Sequence, residues 1–438
     1  MPVPALSRTA GRLPVPAALA APFLVAIALL RGLTVPLPIF HGSDERVYQV
    51  PTILRFGSGL PFPDLSHYPA AQTPLFHLLL AFGGKLVGYE LWRLRLIEVV
   101  ISWGLALAVF ALLHVRLELG RRPALALTLL FVLSPYVFGT SFRVLTDNLA
   151  TLFAVLALER LERYRQTARA GPFALACVSV AAAMLTRQST AFLLPVAALY
   201  ALRGPASWRR RGLALAAVAL TAVPVGALFL TWHGLVPPGG DPSSCGLCPA
   251  GRAGPGAQSM LEPQSAELTL ATIGLYGSVL FAPLLMARTP RRRGTGWRPS
   301  GIAALGPLAG AAAGMLALAF WPATPGPHAA GLLWNLARRL PSIGGSSLLF
   351  WGLLPLSGAV LWARIRVAPQ RWGAVAFLAC FLLGTLAIRY PWQKYVDPFA
   401  LLALLLTVGR DELASPRQLA GAGVLAVGFL AYTLSFVG

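Results

Sequence analysis

The chain has 438 residues, of which 56% are hydrophobic and 12% charged. Soluble domains carry about 25% charge, so a soluble globular fold is excluded. Apolar runs of about 20 residues recur from end to end, which makes the chain an all-α polytopic membrane protein rather than a barrel of alternating strands. The formal charge of +21 would suit nucleic acid, but the basic residues fall in short clusters between apolar runs. No soluble basic domain exists to hold them, so no nucleic-acid partner is expected.

Spans are predicted near 15–34, 93–114, 123–141, 147–162, 172–187, 189–203, 211–233, 267–287, 300–321, 344–364, 372–388, 397–409 and 418–436. That is about 13 helices by hydropathy. Arg8 and Arg12 precede the first run, which reads as an uncleaved signal anchor. The run 75–89 is short and holds Gly83, Gly84 and Lys85. If it crossed the membrane, every later basic cluster would move outside, so it is predicted to be interfacial or re-entrant. With that choice the clusters around Arg121, Arg160, Arg209, Arg291 and Arg364 are cytoplasmic, as the positive-inside rule demands. The N-terminus is then cytoplasmic and the C-terminus external.

Of four cysteines, Cys177 and Cys380 lie in apolar runs, while Cys245 and Cys248 form a CxxC in an external Pro/Gly-rich loop. One such pair cannot complete a four-ligand zinc site, so a local disulfide or two free thiols are expected there.

This topology places the candidate chemistry on one side. The external loop 35–92 holds the acidic pair Asp44 and Glu45, then "HYPAAQTPLFH" from His67. Its length and its Pro, Tyr and His content predict a structured loop with short surface helices. A partly desolvated carboxylate beside the bilayer can act as a general base; it can equally be ordinary loop polarity. Asp147 opens the next apolar run in "SFRVLTDNLA". There Thr146 or Asp147 can cap a helix, and an intramembrane carboxylate also marks a functional site. Arg187, in "TRQST", interrupts an apolar pair; Arg389 and Lys394 lie in "RYPWQKYVDP". Arg and Lys suit phosphate. Interfacial snorkelling accounts for Arg338 and Arg339 but poorly for Arg187. His67, Gln72, Gln188 and Tyr395 stand beside these groups and complete the candidate substrate-binding set. His41, His67 and His77 show no paired metal-ligand spacing, so neither a metal nor a cofactor is expected.

The order of these pieces resembles the GT-C superfamily of membrane glycosyltransferases. The resemblance runs through "SDERVYQVPTILRFGSG", "YPAAQTPLFHLLLA", "LWRLRLIEVVISW", "LSPYVFGTSFRVLTDNLATLF" and "AAMLTRQSTAFLLP", over roughly residues 35–200, with an echo at "KYVDP". Within it, "SDE", "TP", "TD" and "RQST" look most like the dolichyl-phosphate-glucose-dependent α-1,2-glucosyltransferase family. Tyr48 replaces that family's His, Pro51 is displaced by one position, and Leu75 replaces a Pro. The Ala-, Arg-, Pro- and Gly-rich composition suits GC-rich bacterial coding.

The resemblance implies an inverting enzyme that moves a hexose, with glucose favoured, from a polyprenyl-phosphate donor. The acceptor is a glycan, a lipid-linked molecule or a protein at the external face of a bacterial inner membrane. Asp44 is implied as the base, although sequence physics does not choose between it and Glu45. Asp147 is implied to shape the centre, and Arg187 and Lys394 to meet the leaving phosphate. Residues 1–203 would then form a catalytic module and 204–438 a variable one. The alternative is a polytopic transporter or lipid flippase, which would gather ionisable groups at the bilayer midplane.

Overall fold

The structure is a computed structural model. It describes residues 14–30, 33, 44–204, 207–240, 263–286, 301–323, 329–367, 372–388, 391–410, 412–413 and 415–435. His41, Cys245, Cys248 and Arg389 lie outside the described residues.

The protein is all-α. Among the described residues, Leu91–Arg116, Trp208–Trp232, Pro263–Leu284 and Leu348–Ile365 are helices long and apolar enough to cross a membrane. Shorter apolar helices cover Val15–Leu29, Ala170–Thr186, Pro307–Phe320, Trp372–Thr385 and Ala420–Leu434. Helices Gly301–Phe320 and Leu348–Val367 approach so closely that Gly310 and Gly358 meet backbone to backbone, with no room for a Cβ. Small residues allow that approach where lipid supplies no hydrophobic drive.

Two predicted elements differ in detail, and one element was not predicted. The run 123–141 forms two helices, Arg121–Leu133 and Pro135–Thr140. Ser134 between them is extended (φ −52°, ψ 131°), because the residue before a proline is pushed out of the helical region. The last polar stretch before 397 is already helical: the helix is Gln393–Leu406, so Lys394 sits in its first turn. A small antiparallel hairpin, Ser342–Ile343 with Ser346–Ser347, was not anticipated. It turns through Gly344 and Gly345 at φ +58° and +83°, a conformation that glycine adopts without steric cost.

Residues 44–92, within the loop predicted to be external, are structured. Helices Val50–Gly59 and Leu75–Val87 pack together, and Ile53, Phe56, Tyr68, Phe76 and Leu80 form a core with Leu94, Val144 and Trp232. Trp232 also donates its indole N–H to the Leu65 carbonyl at 2.8 Å. Leu75–Val87 has 13 residues and so rises about 20 Å, short of a hydrocarbon core of about 30 Å. A larger core runs from Leu105 to Phe429 and joins the two halves of the chain.

Candidate active site

Asp44 is the first residue of a π-helical turn, Asp44–Gln49. Its side chain keeps 32% exposure, and Oδ2 lies 3.0 Å from Nζ of Lys394, which is 7% exposed. The two residues are 350 positions apart. The ammonium also lies 4.4 Å from the Trp392 ring centroid and 5.1 Å from that of Tyr395. Trp392 and Tyr395 stack on each other at 5.6 Å.

The second carboxylate is built differently. Asp147 opens the helix Asp147–Thr167, but neither it nor Thr146 makes a side-chain cap bond there. Instead Asp147 Oδ1 accepts from Arg187 Nη1 at 2.6 Å. Arg187 is where the helix Ala170–Thr186 ends: its backbone is extended (φ −157°, ψ 115°) before the 3-10 turn Gln188–Phe192. Its guanidinium carbon lies 4.3 Å over the Tyr395 ring, a cation–π distance.

A small open cleft of about 20 Å³ lies between Asp147, Arg187 and Lys394. Asp147, Arg187, Lys394 and Tyr395 line its polar part, with Thr151 and Ser189; Ala150, Pro398 and Phe399 line its apolar part. The arrangement offers two cations to an anion and an apolar wall to whatever that anion carries.

The two acidic side chains sit in different surroundings. Glu45 is 2% exposed, and both its oxygens receive Arg95, from Nε at 3.0 Å and Nη2 at 2.7 Å. Glu45 Oε1 also accepts the Val144 amide at 2.8 Å, and Arg95 Nη1 donates to the Leu33 carbonyl at 2.8 Å. This clamp joins the end of the first helix, the start of the loop and the turn before Asp147. Arg143, in that turn, is buried. Burial pulls its guanidinium below the ordinary range, while nearby Glu45, and then Asp44, draw it back. Buried Asn148 secures the same turn, donating to Ser102 Oγ at 2.8 Å and accepting from Thr140 Oγ1 at 2.9 Å.

Three other candidates, Gln188, Gln72 and His67, do not line the cleft. Gln188 donates to the Ala71 carbonyl at 2.8 Å, and Gln72 accepts from Gln49 at 3.1 Å. Gln49 in turn meets His77 Nε2 at 2.7 Å. His67 is exposed and packs against Gly239. Sequence reasoning missed Arg95 and Asn148. Their signal was polarity inside apolar runs, since an ionisable residue in a span is costly without a role.

Comparisons with known proteins match part of this arrangement. Residues 71–232 match the family model "Dolichyl-phosphate-mannose-protein mannosyltransferase". No curated protein matches the chain. Solved structures of ArnT from Cupriavidus metallidurans are similar at low identity. The apo form is 19% identical, covering 95% of this chain and 65% of that one, with a TM-score of 0.46. The form bound to undecaprenyl phosphate is 18% identical, covering 95% and 71%, also at 0.46. The chain therefore spans just under two thirds of the length of the apo ArnT chain.

Proposed function

We propose that this membrane protein is a GT-C glycosyltransferase that uses a polyprenyl-phosphate sugar donor. The observation that carries the reading is the cleft itself. Asp147, Arg187 and Lys394 meet from three segments at one opening with an apolar wall, and Asp44 stands behind Lys394 as its ion-pair partner. The matched family, named for dolichyl-phosphate-mannose, favours the same donor chemistry.

In this reading the donor phosphate takes Arg187 and Lys394 from their carboxylate partners, and the first isoprene units lie along Pro398 and Phe399. Releasing Lys394 frees Asp44. Asp44 then accepts the proton of an acceptor hydroxyl as that oxygen attacks the anomeric carbon. The bond from that carbon to the phosphate oxygen breaks, and the electron pair leaves with the phosphate. The two cations stabilise the charge that develops there; preorganised groups are worth most at such a position. Glu45 serves by holding Asp44 in place rather than by reacting. Before the donor binds, Asp147 keeps Arg187 oriented toward the cleft. Residues 1–203 are the catalytic module, and 204–438 the variable module that lends Lys394.

We propose a hexose as the sugar. The "SDE", "TP", "TD" and "RQST" motifs favour glucose, whereas the matched family is named for mannose. The site is proposed to face the external side of a bacterial inner membrane. The test is a panel: purified protein in lipid, given polyprenyl-phosphate glucose or mannose and candidate acceptors. Release of polyprenyl phosphate with sugar transfer to an acceptor is expected for one hexose. Movement of intact donor across sealed vesicles without cleavage would instead identify a transporter.

A further inference from the structure

The helix Gln393–Leu406, which carries Lys394, is weakly secured by its own backbone. Pro398 lies inside it, and its start has no side-chain cap. Proline has no amide hydrogen, so the Lys394 carbonyl loses its partner four residues on, and the ring crowds that carbonyl. A cation that must meet a phosphate is thus carried on a loosened turn.

Buried side chains supply the missing anchorage. Gln393 and Asp397 are four residues apart and share a helix face, while Lys394, Tyr395, Pro398 and Phe399 line the cleft. The Gln393 side-chain Oε1 accepts from the Leu333 amide at 2.9 Å, while its backbone N–H donates to the Ala330 carbonyl at 2.9 Å. Asp397 is fully buried. One oxygen accepts from Ser134 Oγ and the other from the Tyr276 hydroxyl. Ser134 is the hinge residue of the segment leading to Asp147, and Tyr276 stands on the helix Pro263–Met286. None of these three lines the cleft. A well-packed apolar side chain would hold such a site with less desolvation cost than a carboxylate. What the carboxylate adds is a directional hold on two other segments.

We infer that Asp397, held by Ser134 and Tyr276, is the positioning residue that fixes Lys394 at the phosphate site. This rests on the phosphate reading above. The test uses the full chain in lipid nanodiscs with undecaprenyl phosphate as the probe. Lys394→Gln weakens binding about tenfold or more, as loss of a charge-assisted contact should. Asp397→Asn weakens it about fivefold or more, and the double variant is little weaker than Lys394→Gln alone, because coupled groups are non-additive. Tyr276→Phe, which removes one donor to Asp397, shows the same coupling in a smaller form and decides the matter if Asp397→Asn does not fold. Losses that simply add, or wild-type binding in folded Asp397→Asn and Tyr276→Phe while Lys394→Gln fails, overturn the inference. Wild-type binding in Lys394→Gln overturns the phosphate reading itself.

Discussion

The helix Asp147–Thr167 carries carboxylates toward both ends, and the two ends differ in kind. At its start, Asp147 meets Arg187 across a cleft. Twelve residues on, about 18 Å away along the axis, Glu159 pairs with Arg116 and Arg160. One turn further, Glu162 accepts from the Tyr200 hydroxyl at 2.5 Å and pairs with Arg165 at 2.8 Å. Arg116 and Tyr200 tie neighbouring segments to this end, Arg160 and Arg165 belong to the same helix, and none of these residues lines the cleft. Ion pairs alone therefore do not mark a site. Partners drawn from distant segments, beside open space with an apolar wall, do.

If that contrast is right, the largest effect belongs to the cleft end. Asp44→Asn keeps size and folding but lowers turnover about 10²–10⁴-fold, with donor binding retained. Turnover and donor binding measured on one preparation check this, and near-wild-type turnover would break the contrast at its strongest point. Glu45→Gln acts through the fold. It leaves Arg95 buried beside a neutral partner, and breaking such a pair costs about 3–5 kcal/mol of stability. Thermal unfolding in detergent should show the loss before kinetics do; unchanged stability with lost turnover would make Glu45 the base. The smallest effect is expected at the inner end. Glu159→Gln breaks a largely buried pair and so lowers stability, but it lies away from the cleft, so turnover of the folded protein should stay within about fivefold of wild type. A larger loss would mean that the inner pairs also serve the reaction.

Much of this was legible in the sequence, for identifiable reasons. Long apolar runs report burial in lipid directly, so the all-α membrane class was legible. Asp44, Asp147, Arg187 and Lys394 were found because ionisable groups beside apolar runs are conspicuous, and they do converge. The split between Asp44 and Glu45 was not readable. It depends on which way each side chain leaves a π-helical turn and on Arg95, 50 positions away. Gln188 and Gln72 looked like ligand groups because an amide serves a backbone carbonyl or a substrate equally well. Asp397 was overlooked because Pro398 suggested a helix beginning there, whereas the helix begins at Gln393.

Asp147 lines the cleft and Asp44 stands beside it on Lys394, and two mechanisms are conceivable for two such carboxylates. Single displacement with Asp44 as base inverts the anomeric carbon, whereas attack by Asp147 followed by a second displacement would retain it. Asp147 is engaged by Arg187 at 2.6 Å, and Asp44 keeps a partly exposed side chain. The direct measurement is the anomeric configuration of the product, read by NMR after transfer from a donor of known configuration. The account predicts an anomer opposite to that of the donor; a product that keeps the donor's configuration would contradict it.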